Sequence, residues 1–226
     1  MDSRKRLQAV SLADVARLAE VSPATVSRVL SGRRTEEDEI ASRVRNAARM
    51  LRYSGNSVAR ALRKRRSDTV GLIVPEIGNP FFSALAEQLE LVLAPHGQQL
   101  LICGSGQNAQ TEAARIHALP SRQVDGIIVV PADEAASTPA LQDAAAQVPL
   151  VQVDQRARGL NASWVGVDDD SAMALVLTHL AGQGIRSAAF IGSQLTNSSA
   201  TDRYHSFLRQ CERLNISVQP SWTCLG

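Results

Sequence analysis

Residues 22–28 group side chains that can contact a nucleic acid. Arg28 can donate two hydrogen bonds to a guanine edge, and the alternative role for its guanidinium is a phosphate contact. Pro23 and Ala24 are small and apolar, so they suit contact with a thymine methyl group better than bidentate hydrogen bonding. The hydroxyl groups of this stretch would bind phosphate or cap a helix, and they belong to Ser22, Thr25 and Ser27.

These side chains need a rigid support, and the apolar spacing predicts two short helices around a tight turn. The first contains residues 14–19, and the second runs from Pro23 to Leu30, with Ser22 as its cap. One small apolar face is expected, made by Val15, Ala16, Ala19, Val21, Val26 and Leu30. Such a helix pair can place one helix in the DNA major groove, and an ordinary helical hairpin is the alternative.

A third helix is predicted over residues 36–52, with acidic residues at its start and arginines towards its end. Its apolar spacing is sufficient to close a three-helix domain. A turn is predicted at residues 53–56, and Asn56 is predicted to cap a short segment that ends in four basic residues after Leu62. Beside DNA, this segment would be a basic arm that inserts Leu62 into the minor groove, and simple packing of Leu62 is the alternative.

The net charge of +2 conceals a strong asymmetry along the chain. Residues 1–67 contain 16 Lys and Arg against 7 Asp and Glu, a net charge of +9, whereas residues 68–226 contain 8 against 15, a net charge of −7. The basic part can neutralise phosphates while the acidic part is repelled by them. This distribution is typical of a DNA-binding module joined to a separate domain.

Several other classes of protein are disfavoured by the composition. No run of about 18 apolar residues occurs, so we expect no membrane span. The charged first six residues precede no apolar signal core, so we expect a cytoplasmic protein. Neither the histidines nor the cysteines have metal-ligand spacing, and no metal or cofactor is expected. Reduced thiols are expected at Cys103, Cys211 and Cys224.

From residue 69 onward, short apolar runs alternate with helical patterns, which predicts a parallel sheet with helices on both faces. The predicted strands lie at 70–74, 100–103, 126–130, 150–153, 164–167 and 188–192. The predicted helices lie at 80–94, 109–119, 138–147, 170–181 and 203–214.

Several blocks of the chain resemble the LacI/GalR family of bacterial transcription regulators. In the basic part these are DVARLAEVSPATVSRVLSG and RVRNAARMLRYSGNSVARAL. In the acidic part they are VGLIVPEIGNPFFSALAEQLE, VDGIIVVP, PLVQVDQ, VGVDDDSAMALVLTHLAGQGIRSAAFIG and SSATDRYHSF. The resemblance implies an all-α helix-turn-helix domain at 1–55 and a hinge helix and linker at 56–68. It also implies an α/β periplasmic-binding-protein-like sensor of type I, with parallel sheets, at 69–226.

By this resemblance the protein is a repressor of transcription and not an enzyme. It would bind a near-palindromic operator in double-stranded DNA as a homodimer, and a sugar-like or nucleoside effector would modulate that binding. The implied DNA-binding residues are Ser22, Pro23, Ala24, Thr25, Ser27, Arg28, Asn56, Ala59 and Leu62. The implied effector residues are Asn79, Phe81, Phe82, Asp154, Asn197, Ser199 and Arg203. Two alternatives within this set are a core position for Phe82 and an ion pair between Asp154 and Arg203.

The chain departs from the family pattern at four positions and in length. Glu20 and Gly55 stand where the family usually has Gly and Pro, and Asp169 and Ile185 stand where it usually has Asn and His. Family members continue for roughly another hundred residues, so the resemblance implies a sensor domain that is incomplete at its C-terminus. A regulator that binds DNA without responding to an effector is therefore an alternative.

Two other functions compete with this interpretation. Residues 104–109 fit G-x-G-x-x-A before a helix, a pattern found in dinucleotide-binding enzymes. That pattern follows the second strand rather than the first, and Asp125 precedes its strand instead of closing it. The other competitor is a sugar-binding component of a transporter, which the DNA-binding features at the N-terminus disfavour.

Overall fold

The computed structural model describes residues 10–32, 34, 38–53 and 66–226. The chain divides into two compact units, one up to residue 65 and the other from residue 66. The predicted hinge segment, with Asn56, Ala59 and Leu62, lies outside the described residues.

The described residues of the first unit form three helices: α1 (Leu12–Ala19), α2 (Pro23–Leu30) and α3 (Glu39–Met50). At the start of α1, the Ser11 hydroxyl accepts from the Asp14 N–H, and the Asp14 carboxylate accepts from the Ser11 N–H at 2.9 Å. At the end of α1, Glu20 adopts the left-handed conformation, with φ of 55°. Glycine adopts that conformation without steric cost, which explains why glycine suits this turn.

Two expectations for this unit are wrong. Val29 is buried in place of Leu30, which is exposed, because a helix that buries Val26 also buries the position three residues on. The third helix begins at Glu39 rather than at residue 36, because the Asp38 carboxylate accepts from the Ala41 N–H and caps it. The buried core consists of Val15, Ala16, Ala19, Val26, Val29, Ala41, Val44 and Ala47.

The second unit begins with five strands and the four helices that connect or follow them. The strands are β1 (Thr69–Val74), β2 (Gln99–Gly104), β3 (Gly126–Val129), β4 (Leu150–Val153) and β5 (Ser163–Val165). The helices are α4 (Pro80–Leu93), α5 (Ala109–Ser121), α6 (Thr138–Ala145) and α7 (Asp169–Gly182). The strands pair in parallel in the order β2-β1-β3-β4-β5.

Both faces of this five-stranded sheet are covered by apolar side chains. On one face, Leu72 and Val74 pack with Phe82 of α4. On the other face, Ile73 and Val129 pack in a cluster that includes Ile116, Leu119 and Leu141, from α5 and α6. This alternation along the strands is the period-two pattern of a sheet that is buried on both sides.

The chain continues with β6 (Phe190–Gly192), α8 (Ser198–Arg213) and β7 (Thr223–Leu225), and β6 and β7 pair in parallel. The helix predicted at 203–214 starts five residues earlier, because the Asn197 amide oxygen accepts from the Ala200 N–H at 2.9 Å and caps it there. A separate core joins α7 to α8 through Leu177, Phe207, Cys211 and Ile216. At the start of α7, the Asp168 carboxylate accepts from the Ser171 N–H.

Candidate nucleic-acid interface and effector site

The polar residues at the start of α2 are arranged around the helix end. The Ser22 hydroxyl accepts from the Thr25 N–H at 3.1 Å and lies 2.9 Å from the Thr25 hydroxyl. Pro23, Ala24 and Arg28 are exposed on the same helix, whereas Ser27 is half-buried. The side chains that suit base contact are therefore open to solvent, while the Ser22 and Thr25 hydroxyls are used in capping α2.

An arginine of α3 bonds to the end of α1, immediately before the turn that leads into α2. Arg43 of α3 donates from Nη2 to the Ala19 carbonyl at 2.7 Å and from Nε to the same oxygen at 3.2 Å. These bonds satisfy the carboxyl end of α1 immediately before the turn into α2. The apolar spacing of α3 could not indicate this role, because Arg43 lies on the polar part of the pattern.

Arg28 lacks an ionic partner among the described residues, whereas two other arginines of this unit have one. Arg17 pairs with Asp14 at 2.8 Å, and Arg34 pairs with Asp38. Among the described residues, the Arg28 guanidinium forms no hydrogen bond or ion pair. This side chain is available for a ligand that accepts hydrogen bonds.

The effector residues expected in the loop after β1 divide between structural and exposed positions. The Asn79 amide oxygen accepts from the Phe81 N–H at 3.0 Å and caps α4. Phe82 lies in the core and is 7% exposed, as the alternative for this residue proposed, whereas Phe81 is 54% exposed. The two rings meet edge to face with centroids 5.2 Å apart. Phe81 is therefore the aromatic ring at this position that a ligand can reach.

Asp154, Ser199 and Arg203 come together after β4 and in the first turns of α8. The Ser199 hydroxyl donates to the Asp154 carbonyl at 3.2 Å. Arg203 pairs with Asp169 at 2.7 Å rather than with Asp154, so the alternative of a simple Asp154–Arg203 ion pair is wrong. Asn197, which precedes them, is the cap of α8.

The Asp154 carboxyl group lies in an unusual electrostatic setting. Burial raises its pKa above the ordinary value, Arg203 opposes that rise, and Asp169 adds to it. The backbone of Asp154 is left-handed, with φ of 62°, a conformation that costs a residue with a Cβ atom roughly 1–3 kcal/mol. A strained, half-buried carboxylate beside an arginine is a typical feature of a ligand site.

The two groups of predicted effector residues lie at the same edge of the five-stranded sheet. Asn79 and Phe81 follow β1, and Asp154 follows β4, and these strands run parallel in one sheet. The carboxyl edge of such a sheet is where α/β proteins bind small ligands. The hydroxyl, carboxylate and guanidinium groups found there can hydrogen-bond a ligand that is rich in hydroxyl groups.

Two residues beside this site were missed by the sequence analysis. The Trp164 Nε1 donates to the Asp154 carbonyl at 3.3 Å, and the Arg156 guanidinium carbon lies 5.1 Å from the centroid of the Trp164 ring. Arg156 also pairs with Asp202 of α8 at 2.8 Å. These partners are distant along the chain, so neither periodicity nor a motif indicates them.

The G-x-G-x-x-A segment at residues 104–109 forms the turn between β2 and α5. Asn108 caps α5 by accepting from the Thr111 N–H at 2.8 Å, and Gly106 has a φ of 64°. Asp125 accepts the N–H groups of Ser67 and Asp68, so its carboxylate is occupied at the start of β3. These roles account for the segment without a dinucleotide.

Family models match both parts of the chain. The model of bacterial regulatory proteins of the lacI family matches residues 11–56, and the model of the periplasmic binding protein domain matches residues 70–223, more than half of the chain. The chain therefore joins a domain of the lacI family to a periplasmic binding protein domain. Within the described residues, no helix is both long and apolar enough to span a membrane.

Similar proteins include named regulators. A sucrose operon repressor from Klebsiella pneumoniae is 34% identical over 96% of the chain and 65% of the relative. A catabolite control protein A from Staphylococcus xylosus is 34% identical over 85% of the chain and 58% of the relative. The chain therefore spans less than two thirds of the length of these relatives.

Solved structures share the fold. The lac repressor dimer bound to operator and the anti-inducer ONPF has a TM-score of 0.84 at 22% identity, over 97% of the chain and 66% of that structure. This likeness supports the fold described for each of the two units.

Proposed function

We propose that this chain is a DNA-binding regulator of transcription, a repressor that contacts its operator through α2. The exposed triplet of Pro23, Ala24 and Arg28, on a helix capped by Ser22, carries this proposal. An α-helix fits the major groove, an arginine can donate to guanine O6 and N7, and small apolar side chains can contact a thymine methyl group. The net charge of +9 over residues 1–67 adds sequence-independent attraction to phosphates.

The proposal includes an arrangement of domains and partners. Residues 1–55 bind DNA, 56–68 connect, and 69–226 sense the effector. Ser22, Thr25 and Ser27 contact phosphates, and the connecting segment contributes Asn56, Ala59 and Leu62 in the minor groove. The protein would act in the cytoplasm as a homodimer. Its operator would be near-palindromic, because the two-fold symmetry of a dimer matches two half-sites. We assign no catalytic activity, since the named relatives reported above are regulators.

The DNA-binding part is tested by selection from a random duplex library, followed by a salt titration of the enriched sequence. We expect a two-fold symmetric sequence and an affinity that falls steeply with salt concentration, because phosphate contacts release counterions. A matched duplex with scrambled base pairs is the control. Equal affinity for the two duplexes would overturn sequence-specific binding.

The effector part of the proposal rests on the group at the carboxyl edge of the sheet. Asp154, Ser199 and Arg203 would hydrogen-bond hydroxyl groups, Phe81 would stack on a ring, and Asn79, Phe82 and Asn197 would shape the walls by capping or packing. A sugar-like or nucleoside ligand has both the ring and the hydroxyl groups that these residues require.

This effector site is tested by adding sucrose, ribose, other mono- and disaccharides, and adenosine to the complex with the selected duplex. We expect at least one of these probes to change duplex affinity tenfold or more, and Arg203→Ala to abolish the change. Arg213→Ala is the matched control, because Arg213 lies in the last turn of the same helix and contacts Thr178 instead. A panel in which no probe changes the affinity would overturn the effector assignment.

Binding of DNA without an effector response is the second candidate function. The exposure of Leu175, Val176 and Ile191 favours it, because these apolar side chains leave the second sheet less well packed than the first. The panel of saccharides and adenosine separates the two candidates. A change in duplex affinity with any probe supports the effector-responsive regulator, and no change with any probe supports DNA binding without an effector.

A further inference from the structure

The loop that follows β4 forms several contacts with α8. The Arg156 N–H donates to the Ser198 hydroxyl at 2.8 Å, and the Arg156 Nη2 donates to the Asp202 carboxylate at 2.8 Å. The loop after β3 contacts the segment that precedes α8, because the Glu134 N–H donates to the Thr196 carbonyl at 3.0 Å. The five-stranded half of the second unit is therefore joined to the two-stranded half by separate bonds beside the candidate effector site.

Arg156 is the residue that links these contacts to the sheet. Its guanidinium stacks over Trp164 of β5 while its edge pairs with Asp202 of α8. A planar guanidinium can do both at once, whereas a lysine ammonium cannot present a flat face and a fork of donors. The nearby Arg158 makes its ion pair within the five-stranded half, with Glu134 at 3.1 Å.

Trp164 is held in place by its own surroundings. A Cβ atom at position 166 would lie 2.2 Å from the indole ring, so only glycine allows the ring to occupy this position. The indole N–H donates to the Asp154 carbonyl, which also accepts from Ser199. Arg156 therefore stacks on a ring that is bonded to the strained residue of the effector site.

We infer that Arg156, Trp164 and Asp202 form an ionic latch, with Arg156 as the positioning residue that holds the two halves of the sensor together at the effector site. This inference deepens the proposed function and rests on it for its role in regulation. The latch sets how often the halves separate, and so how readily an effector enters. Both charged side chains are half-exposed, so salt weakens the latch.

Amide hydrogen exchange of the full chain tests the latch without a ligand. The reporter is the Glu134 N–H, whose acceptor, the Thr196 carbonyl, belongs to the other half. We expect Arg156→Gln and Asp202→Asn each to accelerate its exchange by about three- to tenfold, the range of an exposed ion pair with a cation–π contact. The double variant should exchange no faster than the faster single variant.

Controls separate the latch from general loosening. Arg122→Gln removes an exposed charge elsewhere and should leave exchange at the Glu134 N–H unchanged. The Ile127 N–H reports on the core of the five-stranded sheet, and its exchange should be unchanged in the latch variants. Arg156→Lys keeps the charge but loses the stacking and should give an intermediate rate. Unchanged exchange at Glu134 in both latch variants, or additive effects in the double variant, would overturn the latch.

The outcome for the latch is distinguishable from that for the proposed function. Accelerated exchange with no sugar or nucleoside effect on duplex affinity would leave the latch standing and overturn the effector site. A probe effect on duplex affinity with unchanged exchange at Glu134 would overturn the latch alone.

Discussion

The two parallel sheets of the second unit differ in how they are covered. The five-stranded sheet buries apolar side chains on both faces, with Leu72 on one side and Ile73 on the other. In the two-stranded sheet, Phe190 packs against the α7–α8 core, whereas Ile191 on the opposite face is 85% exposed. Parallel strands gain stability from cover on both faces, so the comparison indicates that the first sheet supplies most of the stability of this unit.

The largest expected effect comes from two leucines in comparable helices. Leu141 of α6 is fully buried, whereas Leu175 of α7 is 74% exposed. Leu141→Ala should lower the free energy of unfolding by roughly 2–5 kcal/mol, through lost burial and a cavity. Leu175→Ala should change it by less than about 0.5 kcal/mol. Urea unfolding of both variants measures the difference, and similar losses would break the comparison.

A smaller effect is expected from a pair of glycines. A Cβ atom at Gly71 of β1 would lie 2.7 Å from Leu119, whereas one at Gly182 of α7 would meet no atom within 4 Å. Gly71→Ala should destabilise by about 1–3 kcal/mol through overpacking. Gly182→Ala should stabilise by about 0.5–1 kcal/mol, since alanine favours the helix. Thermal unfolding gives both values, and a neutral Gly71→Ala would argue against tight packing of the first sheet.

Opposite dependences on pH give the subtlest comparison. Burial raises the pKa of Glu112 of α5 above its ordinary 4.5, so the folded state holds this proton more tightly. Its contribution to stability is full below that ordinary value and is lost as pH rises through the raised pKa. In the first turn of α7, hydrogen bonds from Ser206 and Arg209 lower the pKa of Asp170 below its ordinary 3.8. Its contribution is present above that value and is lost as pH falls through the lowered pKa.

Thermal unfolding across pH 3 to 8 checks these signs. Glu112→Gln should flatten the decline above about pH 4.5, because the amide cannot ionise while it keeps the shape of the side chain. Asp170→Asn should flatten the decline at the acid end. A Glu112→Gln profile parallel to that of the wild type would show that the ionisation of this carboxyl group does not contribute to the pH dependence of stability.

Local features were predictable from the sequence where a cap and an apolar pattern coincide. Ser22 and Pro23 fixed the start of α2, and β4 lies at its predicted residues. The first turn of α8 was missed, because residues 198–202 are polar or small and its only local signal is the Asn197 cap. The latch could not be predicted, since Arg156 and Asp202 are brought together only by the packing of two sheets.

The candidate DNA surface shows the same division between local and long-range information. The exposure of Arg28 follows from helical spacing, because Val26 and Val29 occupy the buried side. The bonds from Arg43 to the Ala19 carbonyl join helices that lie more than twenty residues apart, and no local pattern indicates them.

The central claim, that α2 contacts DNA bases through Arg28, is tested most directly by fluorescence anisotropy of Arg28→Ala on the selected duplex. We expect this variant to lose about 1–3 kcal/mol of discrimination at one base pair. Arg17→Ala, which removes an exposed arginine from α1, should retain full discrimination. Equal loss of affinity for the selected and scrambled duplexes in Arg28→Ala would contradict the claim, because it would show that Arg28 contacts phosphate alone.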